Sequence, residues 1–457
     1  MRFKQALLGM TVVMPMLGQT AFAGVSEEQA KRLGQELTCV GAEKAGNAAG
    51  TIPAFTGKYQ GKVPGWNHVL HSGGQPVDPY ADEKPVLVIT AANAKDYTEH
   101  LTPGQLAMFK QYPQTYTMNI YPGHRDYRYS DVVCERARWN ATHAQLANDG
   151  MGVDGVGQVP FPIPQNAMEL LWNHQLPARA WTEDAVRDLA SVLPSGDIGW
   201  GRTYTRGFAP SNDPHNTPKT EAGIQAYSWT QTLLPARESG TSTVSQEPYN
   251  FKTHSRQAWS YNPGTRRVRQ LPGYGYDQPM TGSNGTMIID EDRLFNGSPE
   301  RYDWEMLGKR EIYVPANAYK VNGGDVKYKD LLTPNHPNPA YMRYELRRVW
   351  VLQATLKPGF RHLYGKRVLF LDEDTWHAVL GDAYDTRGQL WKHGVTNYYY
   401  HPDSNAWHSG VAFFQDLSTG QYMGYNMTNE SRKGPILNQG KFNAQMYTPD
   451  ALRAAGR

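Results

Sequence analysis

Two cysteines and fourteen histidines are the residues of this chain best suited to redox or metal chemistry. Cys39 and Cys134 are the whole cysteine complement, so no C-x-x-C redox or zinc motif is present. The histidines form no H-E-x-x-H pair, and no set of them has the spacing and neighbouring carboxylate typical of a metal centre. We therefore predict no metal and no cofactor, and we interpret the histidines as structural.

Motifs that position a nucleophile or a phosphate are also absent. The sequence contains no G-x-S-x-G elbow and no G-x-x-x-x-G-K-[ST] loop. Paired carboxylates could support glycoside hydrolysis, but 43 acidic residues single out no particular pair. The prediction is a protein that is not an enzyme, and a hydrolase built from scattered acids or histidines is the less favoured alternative.

Two acidic triplets follow apolar segments, Asp290-Glu291-Asp292 and Asp372-Glu373-Asp374. Clustered carboxylates can bind Ca²⁺. The simpler interpretation, which we prefer, is that each triplet is the charged tip of a hairpin.

The N-terminus indicates export. Arg2 and Lys4 precede an apolar run, and Ala21-Phe22-Ala23 has the small-x-small pattern of a signal-peptidase site. We predict a signal peptide over residues 1–23 and an exported mature protein without a transmembrane span. In an oxidising compartment, Cys39 and Cys134 could form a disulfide, with two buried free thiols as the alternative.

Charge is nearly balanced, with 46 basic and 43 acidic residues, so we predict no nucleic-acid partner. One short basic run is Arg266-Arg267-Val268-Arg269. It is interpreted as a solvated strand face, and contact with an anionic lipid head group is the alternative.

The elements that must position any site fall into two regions. Residues 24–222 are predicted to form a helical, loop-rich wrapping region, with helices beginning near residues 26, 102, 130, 165 and 182. Residues 223–457 alternate apolar and polar side chains and predict ten to twelve strands up to residue 425. The expected fold class is α+β, with a strongly curved antiparallel sheet.

Aromatic residues repeat on single faces of these strands. They could form the concave face of a curved sheet that holds an apolar ligand, or an ordinary aromatic core. The candidate ligand-binding residues are Trp229, Trp259, Tyr261, Trp304, Trp350 and Trp376.

Long segments resemble a known family. The segment QAWSYNPGTRRVRQLP at residues 257–272 is similar to the domain of unknown function 1329 family. Matching segments occur at residues 40–57, 160–174, 295–319 and 344–376, so the resemblance covers nearly the whole mature chain. Phe55 departs from the tryptophan expected there.

The resemblance implies a half-open antiparallel barrel of the LolA/LolB type, covered by helices, in a periplasmic protein peripheral to the outer membrane. It further implies a carrier or accessory protein for a hydrophobic ligand such as a lipid, acyl chain, sterol or hydrocarbon. The implied partners are a transporter of the resistance-nodulation-division type and an outer-membrane protein. A non-enzymatic scaffold that bridges those two proteins is the alternative.

Overall fold

The computed structural model describes residues 24–58, 63–66, 69–215 and 223–456. The predicted signal segment therefore lies outside the described residues. The described part contains seven α-helices, which are α1 (Glu27–Ala30), α2 (Pro103–Gln111), α3 (Asp131–His143), α4 (Ala167–Gln175), α5 (Tyr319–Asn322), α6 (Tyr328–Leu331) and α7 (Pro449–Ala455). No helix in these residues is both long and apolar enough to cross a bilayer.

Strands dominate the rest of the described chain. In order they are β1 (Leu87–Ile89), β2 (Met118–Ile120), β3 (Gln145–Ala147), β4 (Gly152–Asp154), β5 (Thr182–Val192), β6 (Ile198–Phe208), β7 (Ile224–Leu234), β8 (Ser242–Pro248), β9 (Gln257–Asn262), β10 (Arg267–Gln270), β11 (Tyr302–Pro315), β12 (Tyr344–Leu356), β13 (Lys366–Asp372), β14 (Ala378–Tyr384), β15 (Leu390–His401), β16 (Ala406–Asp416), β17 (Tyr422–Met427) and β18 (Ile436–Leu437).

One sheet contains every strand except the small β3–β4 pair. Its main path runs β12-β13-β14-β15-β16-β17-β5-β6-β7-β8-β9-β10, with every neighbour antiparallel. β11 pairs with β12, and β2 and β1 continue the sheet beyond β12. The sheet has two ends and does not close on itself. The predicted α+β class with a large antiparallel sheet is confirmed, and eleven strands, β7 to β17, begin between residues 223 and 425.

The sheet is strongly curved. β14 and β8 are separated by seven strand steps, which would span about 34 Å in a flat sheet. Yet His377, directly before β14, and Glu247 on β8 line one cavity of about 310 Å³. Curvature of the sheet brings strands this far apart in the strand order onto one cavity.

The predicted helix that begins near residue 182 is wrong, because residues 182–192 form β5. Glu, Ala, Arg and Leu in this segment favour a helix by intrinsic propensity. In the fold, however, β5 pairs with β6 along all eleven residues, and β17 pairs with its other edge. Backbone pairing on both sides outweighs a propensity difference of a few tenths of a kcal/mol per residue.

A disulfide joins the N-terminal segment to α3, and buried charge joins the loop before α3 to the sheet. Cys39 and Cys134 are bonded to each other. Arg125 donates to Asp374 with an Nη2–Oδ1 distance of 2.7 Å, and Arg347 donates to the same carboxylate with an Nη2–Oδ2 distance of 2.6 Å. All three side chains are at most 2% exposed. The triplet at residues 372–374 follows β13 as expected, but arginines bury it, so it is not a solvated hairpin tip.

The basic run at residues 266–269 occupies an edge of the sheet. Arg267 and Arg269 are exposed on β10, while Val268 packs inward against an aromatic cluster. Charged side chains on an edge strand oppose pairing with other chains. The exposed arginines match the solvated strand face that the sequence predicts.

Candidate functional site

A cavity of about 310 Å³ lies against one face of β5 to β8. At about 30 Å³ per water molecule, this volume corresponds to roughly ten waters. It falls at the lower end of the range for small-molecule pockets, which is about 300–1,000 Å³.

The strand wall of the cavity carries small hydroxyl side chains. The register places Thr205 opposite Thr230, and Thr230 opposite Thr243, so these residues share one face of the sheet. Arg187 and Leu189 on β5 pair with Thr203 and Gly201 of β6, which lie two and four residues before Thr205. Because side chains alternate between the two faces of a strand, Arg187 and Leu189 point to the same side as Thr205. The seven hydroxyl residues on this wall are Thr203, Thr205, Ser228, Thr230, Thr232, Thr243 and Ser245.

The opposite wall comes from residues 274–296. Met280 and Ile289 contribute apolar surface, and Asp292 and Arg293 contribute charge. Arg293 has a φ of 54°, and the next residue, Leu294, has a φ of 71°. Such left-handed backbone costs about 1–3 kcal/mol for a side chain of this size. The fold therefore holds Arg293 in an unfavourable conformation at the cavity wall.

Positive charge exceeds negative charge around the cavity. Five arginines line it, at positions 179, 187, 206, 256 and 293, against three carboxylates, at positions 183, 247 and 292. Arg187 pairs with Glu183, and Arg256 pairs with Glu247. Two of the three carboxylates are thus already neutralised by an arginine each.

Burial and neighbouring charges shift the pKa values of two cavity residues, Glu183 and His408. Burial acts to raise the pKa of Glu183, but the charges of Arg187 and other neighbours lower it below its ordinary value. Burial also lowers the pKa of His408, whose Nε2 lies 3.6 Å from Glu183 Oε1. His408 is therefore neutral near pH 7.

Arg179 lacks such a partner. No carboxylate of the described residues lies within 4 Å of its guanidinium group, and its Nε is buried without a hydrogen-bond partner in that part of the chain. Burial, followed by repulsion from Arg293, lowers the pKa of Arg179 to about 9. The direction of the shift fits a guanidinium whose charge the described residues compensate poorly.

His377 forms another part of the wall. It is 2% exposed, and its ring stacks on Tyr398 with centroids 4.3 Å apart. Neither ring nitrogen has a hydrogen-bond partner among the described residues. Burial first, and then the neighbouring His174 and the charges of Arg293 and Arg179, hold the pKa of His377 well below its ordinary value, so the ring is neutral near pH 7.

Three of the six predicted aromatic residues lie on the far face of the cavity strands. Trp229, Trp259 and Tyr261 belong to a cluster covered by the C-terminal segment, residues 442–456. The Tyr261 hydroxyl donates to the Gly456 carbonyl at 2.6 Å, and Leu452 of α7 packs in the same cluster. The structure brings these three together as a covered aromatic layer.

The other three lie elsewhere in the sheet. Trp304 donates from Nε1 to the Pro299 carbonyl at 3.0 Å. Trp350 lies beneath Lys309, with the ammonium 5.0 Å from the ring centroid. Trp376 is 1% exposed and donates to the Val40 carbonyl at 2.9 Å. None of the six predicted residues is among those that line the cavity.

Sequence reasoning missed the cavity residues because they lie between the aromatic ones. Ser228 and Thr230 flank Trp229 on β7, and they face the cavity while Trp229 faces the C-terminal segment. The alternation of small hydroxyl and aromatic residues along β7 indicates that the two faces of the strand have different surroundings. Arg179 and Arg293 carry no motif that would have marked them as cavity residues.

Metal binding finds no support in the geometry. Across the described ranges, no group of three or more histidine, cysteine or acidic side chains could hold a metal ion. Asp290 instead lies 3.0 Å from both His362 Nε2 and Arg367 Nη1, and Glu291 lies 3.3 Å from Lys392 Nζ.

Comparisons with known proteins agree with the resemblance in the sequence. The chain is 38% identical over 450 residues to the uncharacterized protein PA3922 of Pseudomonas aeruginosa, covering 97% of each chain. A solved DUF1329 family protein of Desulfovibrio piger aligns at 15% identity and a TM-score of 0.40, covering 60% of this chain and 92% of that one. A LolA superfamily protein of Nitrosomonas europaea aligns at 13% identity and a TM-score of 0.38, covering 63% of this chain and all of that one. A family model described as a protein of unknown function, DUF1329, matches residues 88–453. The chain therefore belongs to the DUF1329 family.

Proposed function

We propose that this protein is a periplasmic, non-enzymatic carrier that encloses one end of an amphipathic, lipid-like ligand. The observation that carries the proposal is the cavity itself, which lies between a strand face and the 274–296 segment. Leu189, Met280 and Ile289 supply apolar contact, while hydroxyl and charged groups supply polar contact. A ligand that is apolar along one part and polar at its end matches both kinds of wall.

The proposed mechanism is binding and release without bond chemistry. Burying an apolar chain contributes about 0.8 kcal/mol per methylene group, so a short enclosed stretch supports useful affinity. Ordering of the chain and of the protein offsets part of that gain. Release into another protein then requires a partner or an opening of the 274–296 segment.

Native mass spectrometry of protein purified from a periplasmic extract tests the carrier directly. We expect an additional mass, and organic extraction then identifies the lipid class. A bare protein that also fails to bind a fluorescent fatty acid would contradict the proposal.

A pair of neighbouring variants localises the ligand. Thr230→Trp fills the cavity from β7, and we expect it to abolish the additional mass. Gln231→Trp changes the next residue, which faces the other side of the strand, and it should leave the additional mass in place. Equal retention of ligand by both variants would place the ligand outside this cavity.

The export route and the partners are part of the same proposal. We expect the mature N-terminus at Gly24 and recovery in the periplasmic fraction, with a portion bound peripherally to the outer membrane. The signal-like sequence at residues 1–23 supports export. The family resemblance supports a resistance-nodulation-division-type transporter and an outer-membrane protein as partners. N-terminal sequencing and fractionation check the first point, and an uncleaved cytoplasmic protein would refute it.

A further inference from the structure

Six residues at the cavity carry buried side-chain polar atoms that have no hydrogen-bond partner among the described residues. Five of them can donate, through Arg179 Nε, Arg206 Nε, Arg293 Nη1, Trp407 Nε1 and a ring nitrogen of His377, whereas Glu247 Oε1 can only accept. Buried polar atoms in native proteins are nearly always hydrogen-bonded, because an unmade bond leaves the desolvation cost uncompensated. Because these donors outnumber the one acceptor, the cavity favours a ligand that accepts hydrogen bonds.

The two arginines specify the charge of that ligand. Arg179 and Arg293 are close enough for their charges to repel, and this repulsion is the second largest influence on Arg179 after burial. Two cations facing the same space repel each other less when an anion lies between them. Guanidinium groups also match carboxylate and phosphate geometry, to which they donate parallel hydrogen bonds.

Nearby carboxylates leave room for this anion. Asp292 is the acid nearest to Arg293, with an Oδ2–Nε distance of 3.8 Å, and it also accepts from the Tyr425 hydroxyl at 3.2 Å. Glu183 attracts Arg179 from a distance but is paired with Arg187. Asn296 holds the turn, because it accepts from Arg293 Nη2 at 3.3 Å and donates to Asp292 Oδ2 at 3.3 Å. Arg293 Nη1 has no hydrogen-bond partner among the described residues and can donate to a ligand.

We propose that Arg179 and Arg293 form a subsite for an anionic head group, a carboxylate or a phosphate, with His377 as an additional hydrogen-bond donor beside it. This inference deepens the proposed carrier function and rests on it, since it assigns the ligand a charged end. The apolar part of the ligand then lies toward Leu189, Met280 and Ile289.

Titration calorimetry with four probes tests the subsite. Dodecanoate and dodecyl phosphate carry an anionic head, dodecanol carries a neutral one, and inorganic phosphate has no chain. We expect wild-type protein to bind both anionic amphiphiles at least about tenfold more tightly than dodecanol, as for charge-assisted hydrogen bonds. Arg179→Gln and Arg293→Gln should each remove that preference and leave dodecanol binding within about threefold of wild type.

A matched control removes an ion pair that lies outside the cavity. The double variant Arg453→Gln/Asp450→Asn deletes an exposed pair on α7 and keeps the net charge of the protein. We expect its preference for dodecanoate over dodecanol to equal that of wild type. Loss of the preference in this control would show that the preference does not depend specifically on Arg179 and Arg293, and it would overturn their assignment.

Thermal unfolding of the ligand-free variants supplies a second measurement. Because Arg179 is a partly buried cation with no carboxylate of the described residues within 4 Å, we expect Arg179→Gln to raise the unfolding midpoint of the ligand-free protein while it weakens dodecanoate binding. A lowered midpoint, or a variant that does not fold, would make Arg179 a structural residue and overturn the subsite.

The probes separate this inference from the carrier proposal. Equal binding of dodecanoate and dodecanol overturns the anion subsite and keeps the carrier. Failure of all three chain-bearing probes overturns the carrier. In another outcome, wild-type protein binds inorganic phosphate but none of the chain-bearing probes, and Arg179→Gln loses the phosphate. This result supports the subsite and makes its ligand a free anion. It contradicts the carrier.

Discussion

His174 provides a quantitative test of how burial controls stability in this fold. The side chain is fully buried at the end of α4. Its Nε2 lies 3.0 Å from the Phe295 carbonyl, and its Nδ1 lies 3.2 Å from the Ala378 backbone nitrogen. The first contact requires a proton on Nε2, and the second requires a lone pair on Nδ1. Protonation of Nδ1 would break the bond to Ala378.

The magnitude follows from the pKa. Burial, together with the charge of Arg293, lowers the pKa of His174 from 6.5 to about 3 in the folded protein. The folded state therefore binds fewer protons than the unfolded state between these two values, so stability falls as the pH falls. The contribution is complete above about pH 6.5 and is lost progressively toward pH 3. Between pH 7 and pH 5, His174 alone removes about 2 kcal/mol from the free energy of unfolding.

Urea denaturation of His174→Gln at pH 7 and pH 5 measures this contribution. Glutamine keeps one donor and one acceptor but does not titrate. We expect the variant to lose about 2 kcal/mol less than wild type over this interval. His254→Gln is the control, because His254 is exposed, and it should behave as wild type. Identical pH dependence in wild type and His174→Gln would refute the reasoning.

Three further predictions concern the attachment of the chain termini and the buried charges. Replacing Cys39 and Cys134 by serine opens a loop of 95 residues, and we expect a loss of about 4–5 kcal/mol in urea denaturation; an unchanged midpoint would contradict it. Arg347→Met leaves Asp374 with one arginine fewer in a buried site, and the expected loss is about 3–5 kcal/mol by the same assay; a neutral result would mean that Arg125 suffices. Leu452→Ala removes a buried side chain of α7 that packs over the aromatic layer. We expect the free energy of unfolding to fall by about 2–5 kcal/mol and the thermal midpoint to fall with it. An unchanged midpoint would show that α7 does not stabilise the fold.

Helix starts and strand alternation could be predicted from the sequence, because interactions between near neighbours in the chain decide them. Thr102 begins α2 as predicted, since its hydroxyl accepts from the Gln105 backbone and the Gln105 side chain accepts from the Thr102 backbone. Strand alternation after residue 223 was equally clear, because period-two burial follows from the pleat itself. By contrast, β5 has a helix-like composition and became a strand through pairing with β6 and β17.

The sequence by itself determined that β7 to β9 have an aromatic face and a small polar face. Which face would be covered was decided by the C-terminal segment, which returns from about 200 residues further along the chain to pack on Trp229 and Tyr261. Tertiary structure likewise decided which charges are neutralised. Arg187 and Arg256 each meet a carboxylate, whereas Arg179 meets none within 4 Å in the described chain. Those pairings depend on distances of a few ångströms between residues far apart in sequence, and electrostatic energy in a buried site changes steeply over such distances.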